Sequence, residues 1–154
     1  MFKIINLKDE PENLPTLASW HQQEWSHLNL GEDLAARISR MQPHLDGQLI
    51  PSTYIAKDDV LLGSAAIVKK DMIIEPQLTP WLASVYVGPE NRRRGIGRQL
   101  VLHVMAQAQK GGIDRLYLYT PDKAEFYLKL GWSTLYQRPY HNLDVTIMQV
   151  QLDV

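Results

Sequence analysis

The chain has 154 residues, of which 45% are hydrophobic and 21% charged, and its formal net charge is -1. Such values fit one soluble globular domain, residues 1–154, with a real core, and exclude a disordered chain or a global field that draws nucleic acid or membrane. The absence of cysteine removes disulfides, thiolate metal sites and any covalent intermediate on an enzyme sulfur.

Phe2 to Asn6 reads as a first strand, too short and too soon interrupted by charge to be a secretion signal. Asp9-Glu10-Pro11 opens the next element, and Leu14, Leu17, Ala18, His21, Trp25 and Leu28 recur at three and four residues, as on one face of a helix. Gly31 to Met41 predicts a second helix, stopped before Pro43. Tyr54 to Lys57 and Val60 to Val68, joined at Asp58-Asp59, read as a strand hairpin. Val60 to Val68 is also the longest near-apolar run, well below the roughly twenty residues that span a bilayer, so a soluble, cytoplasmic protein is expected. Lys69 to Pro80 holds two prolines and reads as a connection.

The stretch from Trp81 to Gly112 organises the chain. Trp81 to Val87 is a β-favouring run closed by Gly88-Pro89, a strand followed by a turn. Apolar residues then recur at Ile96, Leu100, Val104 and Ala108, beside Val101 and Met105, as on one helix face. Between them stands Arg92-Arg-Arg-Gly-Ile-Gly97, so the unpaired N–H groups of a helix start fall in a locally positive turn. Such a turn suits an anion, above all a phosphate. Gly95 and Gly97 allow close backbone approach, and Arg92, Arg93, Arg94 and Arg98 raise the local potential. A solvated arginine turn with glycines that merely cap a helix is the bland alternative. The third glycine of a dinucleotide fingerprint and the Lys-Ser/Thr of a P-loop are both missing.

Arg115 to Tyr119 alternates and predicts a strand parallel to Leu82–Val87, because a helix of crossover length separates the two. Thr120-Pro121 places a capping hydroxyl before a first-turn proline, which predicts a short helix from Pro121 to Leu130 ended by Gly131. Trp132 to Tyr136 and Val145 to Leu152 close the chain as an antiparallel pair around a loop, Arg138 to Asp144. The resulting order, β-α-α-β-β-β-α-β-α-β-β, is an α/β (α+β) fold with a mixed sheet flanked by helices. Paired closing strands offer an edge for a homodimer.

The spacing Arg92-x-x-Gly95-x-Gly97 resembles the pyrophosphate loop of the GNAT superfamily of acyl-CoA-dependent N-acyltransferases. Phe126-Tyr-Leu-Lys-Leu-Gly-Trp132, following after an intervening strand, is similar to a second segment of that family. The resemblance covers Val60 to Leu152, and the N-terminal helices in their order only. It implies acetyl-CoA as co-substrate, held by the loop from Arg92 through Ile96 to Arg98, with pantetheine paired along Val85-Tyr86-Val87. It also implies that Tyr127 protonates the departing thiolate. Taken from the residue alone, a helical tyrosine is more commonly a core aromatic; here Phe126 is expected to take the buried direction. Two positions depart from the family pattern: Ala83 stands where many members carry an acid, and Pro121 where many carry an asparagine. The general base is therefore open among His21, Glu24, Glu75, His141 and Asp144. Each has a plain structural alternative as a packed histidine or surface charge.

Trp25, Trp81, Tyr140 and His141 are the candidate acceptor contacts, with core packing as the default reading of Trp20 and Trp25, since aromatics at helical spacing are more often core. No metal set is present, since His21-Gln-Gln-Glu-Trp25 lacks the second histidine of a zinc-protease helix. The expected activity is acetyl transfer from acetyl-CoA directly to a primary amine, on a small molecule or a peptide N-terminus. The alternative is a module that binds or senses acyl-CoA without turnover. A nucleic-acid module built on Arg92 to Arg98 is disfavoured by the net charge.

Overall fold

The computed structural model describes residues 1–25 and 31–153. Seven strands form one sheet in the order β1-β2-β3-β4-β5-β7-β6. They are β1 (Lys3–Asn6), β2 (Ser52–Lys57), β3 (Leu61–Val68), β4 (Trp81–Val87), β5 (Arg115–Thr120), β6 (Ser133–Tyr140) and β7 (Leu143–Gln151). Helices α1 (Leu14–Trp25) and α2 (Leu34–Met41) follow β1, α3 (Ile96–Lys110) joins β4 to β5, and α4 (Ala124–Leu128) joins β5 to β6. Every neighbouring pair is antiparallel except β4 and β5, which the α3 crossover makes parallel. The expected order of elements is the observed one. No described helix is long and apolar enough to cross a membrane.

Boundaries differ where local chemistry was misread. The segment at Asp9 is not yet α-helix: Asn6 accepts from the Lys8 N–H, and two single 3-10 turns precede α1. Leu28, placed on the first helix by its spacing, lies outside the described residues. Helix α2 begins only after Asp33, whose side chain accepts from the Ala36 N–H at 2.8 Å. The helix predicted from Pro121 is shorter, because the Thr120 hydroxyl accepts from the Lys123 N–H and makes a turn that delays α4 to Ala124.

The predicted loop from Arg138 to Asp144 is instead strand. Strands β6 and β7 run on to a two-residue turn, His141-Asn142, with φ of 50° and 64°. That mirror-type turn matches the strand twist, and asparagine tolerates the left-handed region. Pro139 is accommodated because β6 is the sheet's edge, where a missing N–H costs no ladder bond.

Period-two alternation divides the core. On one face, Ile67, Leu82, Leu116, Leu118 and Met148 pack against Ile96, Leu100, Val101 and Val104 of α3 and Tyr127 of α4. Each such fully buried aliphatic contributes about 1.5–3 kcal/mol, which is why the α3 stripe fixes the crossover. On the other face, α1 and α2 cover Ile55 through Leu14, Leu17, Ala18 and Met41. Further along that face, Trp81, Tyr117, Tyr119, Tyr140 and Ile147 lie under Met72, Ile74 and Leu78 of the β3–β4 connection.

One irregularity interrupts the sheet. Ser64 pairs with Tyr86 and Ala66 with Ala83, so β4 spends three steps where β3 spends two. The extra residue falls at Ser84, whose φ is 54°. At neighbouring Gly63 an added Cβ would lie 2.4 Å from the Tyr86 carbonyl oxygen. Only glycine lets β3 pass this bend.

Candidate active site

The turn after β4 is built from Pro89–Asn91, a single 3-10 turn, and the arginines that follow. Gly95 caps α3 with φ 77°, a conformation that favours glycine, and no side chain caps the helix. The first helical bond runs from the Gln99 N–H to the Gly95 carbonyl at 3.1 Å. The N–H groups of Ile96, Gly97 and Arg98 therefore point out of the helix end, where its dipole is positive. Arg92, Arg93, Arg94 and Arg98 are exposed around it. Their roles already differ. Arg92 Nε donates to the Val87 carbonyl at 2.9 Å, and its guanidinium carbon lies 5.8 Å from the Tyr86 ring centroid. Arg94 Nη1 donates to Asn91 Oδ1 at 3.0 Å. The Ile96 side chain is buried in the core, so only its backbone faces the turn.

At Gly97 a Cβ would meet Val87 Cγ2 at 3.6 Å and Phe126 Cζ at 3.8 Å, ordinary contacts. No packing within the chain requires glycine there, although glycine in a helix costs about 1 kcal/mol against alanine. What the missing side chain leaves open is the space in front of the N–H groups.

Beside this turn the sheet opens. Strands β4 and β5 share one register pair, Trp81 with Tyr117, and the Tyr117 N–H donates to the Pro80 carbonyl. Beyond it the strands part. The backbone groups of β4 that face β5 beyond Leu82 have no ladder partner. Val85 and Val87 turn toward α3, while Tyr86 turns to the other face with Ser64. The bulge at Ser84 accounts for the parting, since bulges bend a strand and raise its twist.

The bulge is fastened from below. The Ser64 hydroxyl donates to the Ser84 carbonyl at 2.8 Å, and His21 Nε2 lies 3.0 Å from the same hydroxyl oxygen. With the hydroxyl proton spent on Ser84, Ser64 accepts from a neutral His21 carrying its proton on Nε2. Burial first, then the charges of Arg37, Arg40 and His44, bring the His21 pKa down to about 3. His21 is thus a structural hydrogen-bond donor at neutral pH. Trp20 and Trp25 pack with it around Tyr86, with Trp25 5.1 Å from His21 and 5.9 Å from Tyr86 between ring centroids.

Tyr127 occupies a different environment from the one expected. Tyr127, not Phe126, takes the buried direction: Tyr127 is 7% exposed, and Phe126 is half-buried with its ring edge toward Gly97. The Tyr127 ring lies against Phe126 and Trp132 at centroid distances of 5.0 and 6.0 Å. Burial, helped by the charges of Asp71 and Asp122, pushes its phenol well above the ordinary value. It stays protonated across the working pH range.

The remaining candidates are not brought together. Trp81 is buried and donates its indole N–H to the Leu78 carbonyl at 2.7 Å, and Tyr140 accepts from the Ile73 N–H at 3.1 Å. Both belong to the core under the connection. His141 stands exposed at the hairpin tip, 4.2 Å from Tyr140 between ring centroids, and Glu24 and Asp144 are exposed. Glu75 accepts from Tyr136, Arg138 and Gln77, bonds that hold its carboxyl below the usual range. A carboxylate so fully bonded is a tether. Among the described residues no set of three His, Asp or Glu side chains could hold a metal.

The carboxylate that sequence reasoning missed is Asp71. In Lys69-Lys70-Asp71 it reads as one charge in a polar turn. Only the fold surrounds it, and burial raises its pKa to about 7 against the lowering charge of Arg40.

A family model described as Acetyltransferase (GNAT) family matches residues 8–132. No curated protein sequence matched. Among solved structures, YncA from Salmonella typhimurium, with its cofactor acetyl-CoA, superposes with a TM-score of 0.73 at 18% identity, over 99% of this chain and 94% of that one. An acetyltransferase of the GNAT family from Streptococcus pneumoniae gives 0.74 at 16% identity, over 99% and 100%. The ribosomal-protein-S18-alanine N-acetyltransferase from Escherichia coli gives 0.68 at 20% identity, over 100% and 96%.

The His21 arrangement makes stability acid-sensitive. Its folded pKa, about 3, lies below the unfolded value, so the unfolded chain binds the extra proton and stability falls as pH drops below about 6.5. Asp71, raised instead, works in the opposite sense between its unfolded value and about 7. Urea unfolding of the native chain and of His21→Gln at pH about 7.5 and about 5.5 isolates the first effect. The native chain should lose about 1.4 kcal/mol more than the variant over that interval. Equal losses would mean that His21 is charged in the folded state.

Proposed function

The chain belongs to the GNAT acetyltransferase family, and from that premise we propose that it moves an acetyl group from acetyl-CoA directly to a primary amine. The observation that carries this reading is the uncapped α3 N-terminus, set in a ring of guanidinium groups beside an unpaired strand edge. These features fit the cofactor's parts. The N–H groups of Ile96, Gly97 and Arg98, with Arg93, Arg94 and Arg98, suit a diphosphate. The parted edge of β4 at Val85 to Val87 suits an extended arm with amide groups, which can pair as a further strand. Arg92, with its Nε given to Val87, holds the turn against the strand and keeps its outer nitrogens for the anion.

Acetyl-CoA supplies a thioester when bound, and the chain's own groups then orient and protonate. Backbone N–H groups near Val87 polarise the acyl carbonyl. Tyr127 serves as the proton donor to sulfur. A phenol near ~10 giving its proton to a thiolate whose conjugate acid lies near ~8.5 is uphill by about 2 kcal/mol, and burial of Tyr127 steepens the climb. A positioned hydrogen bond has to offset that. With no cysteine in the chain to carry the acetyl group, transfer takes place in a ternary complex. The acceptor is a small-molecule amine or a peptide N-terminus. The core position of Tyr127 favours one rival, a module that binds acyl-CoA without turnover; binding with no product from any amine would establish it.

Two substitutions separate binding from chemistry. Gly97→Asp places a carboxylate at the second helical position, where the dipole should add about 0.3–1 kcal/mol to stability while repelling a diphosphate. Thermal unfolding should show a fold intact, and the shift given by acetyl-CoA, worth about 2.7 kcal/mol at a hundredfold excess over Kd in the native chain, should vanish. An undiminished shift would place the diphosphate elsewhere. Tyr127→Phe should keep that shift and lose turnover by about tenfold or more. Unchanged turnover would remove the phenol from the reaction.

A further inference from the structure

The connection from Lys69 to Pro80 is a strap pinned over the sheet face that carries Trp81, Tyr117 and Tyr119. The Thr79 hydroxyl donates to the Lys69 carbonyl at 2.7 Å, closing the strap at its base. The Ile73 N–H is held by the Tyr140 hydroxyl, and Met72 is buried against Trp81 and Tyr140. Glu75 is tied to Tyr136 and Arg138 on the edge strand. Asp71, directly before Met72, therefore sits on a segment fixed on both sides.

Asp71 is half-buried as a residue and, among the described residues, its carboxylate takes no hydrogen bond and no ion pair. The cation it feels, Arg40, is already held by both oxygens of Glu32 at 2.8 and 3.0 Å. Asp71 acts electrostatically on Tyr119, at the strap face of β5, and on Tyr127, which packs on the opposite face.

We propose that Asp71, at the strap side of the β4–β5 gap, receives the acceptor's ammonium group and takes its proton, an assignment that rests on the acetyl-transfer reading above. The ammonium gives one proton to the Asp71 carboxylate. The freed lone pair forms the C–N bond to the thioester carbonyl carbon as the C–S bond breaks. The departing sulfur takes the Tyr127 phenolic proton, and the second proton leaving nitrogen restores the phenol. A cationic amine thus finds, on one side of the gap, an anion that no described residue pairs, and on the other a proton donor. The groups whose charge couples to Asp71 are Arg40 on α2, Tyr119 on β5 and Tyr127 on α4, with exposed Lys69 and Lys70 beside it on the strap. Its carboxyl, raised to about 7 by burial, is matched to proton transfer near neutrality.

The test uses the full chain labelled with carbon-13 at aspartate carboxyls, with n-butylamine as the amine probe. One carboxyl should titrate near pH ~7, be missing from Asp71→Asn, and fall by roughly one unit when butylammonium is added with unreactive CoA present. With butylamine, lysine and glycinamide as acceptors, Asp71→Asn should lower kcat/KM by about 10²–10⁴-fold and lose the acidic limb of the pH profile, with the acetyl-CoA thermal shift retained. Should that variant not fold, the native titration and its response to butylammonium decide. All aspartates titrating below about 5, a carboxyl indifferent to the amine, or a variant with native kcat/KM would overturn the assignment. Absence of an acetyl-CoA thermal shift in the native chain would instead defeat the acetyl-transfer reading itself.

Discussion

The hydrogen bond from the Ser64 hydroxyl to the Ser84 carbonyl holds the bend on which the site depends. Ser84 adopts a backbone conformation that costs a non-glycine residue about 1 kcal/mol or more, and such a conformation persists only where its surroundings enforce it. Here they are His21 below and Ser64 beside, with Gly63 at the next step of β3, opposite Val87, where no side chain fits. Because β4 bends, it leaves β5 after one paired residue. The opening that results exposes strand backbone next to the start of α3. A flat sheet with the same side chains would have satisfied those groups within itself.

Charge is handled locally throughout. A chain with net charge near zero has no long-range pull on an anion. Four arginines within seven residues, and a helix end with no side-chain cap, create that pull at one place. The opposite face of the gap is organised by the strap, whose acid at Glu75 is spent on tethering and whose acid at Asp71 is not. Two carboxylates four residues apart thus have different chemistry because one accepts from three donors and the other, among the described residues, from none.

The order of elements, the parallel strand pair and the arginine-glycine turn were legible because each rests on local signals: alternation, helical spacing and glycine placement. The hairpin tip was misread since Pro139 looks like a breaker until β6 is known to be an edge. The directions of Phe126 and Tyr127 were exchanged because a five-residue helix carries too little periodicity to orient it; the packing of Trp132 decides. His21 could be placed on the apolar face from spacing, but its bond to Ser64 joins residues 43 apart. Asp71 left no trace in the sequence, since what makes it unusual is the tertiary surrounding and not its neighbours in the chain. The same holds for Ser84: nothing in Leu82-Ala-Ser-Val85 marks a bulge.

The central claim is that the start of α3 and the parted edge of β4 together hold one extended, diphosphate-bearing ligand. It is tested most directly by backbone amide NMR during titration with acetyl-CoA. The amide signals of Ile96, Gly97 and Arg98 should move together with those of Val85 and Val87, saturating at one common affinity. Movement confined to the helix end would mean an anion site without the strand contact, and movement at neither place would contradict the account.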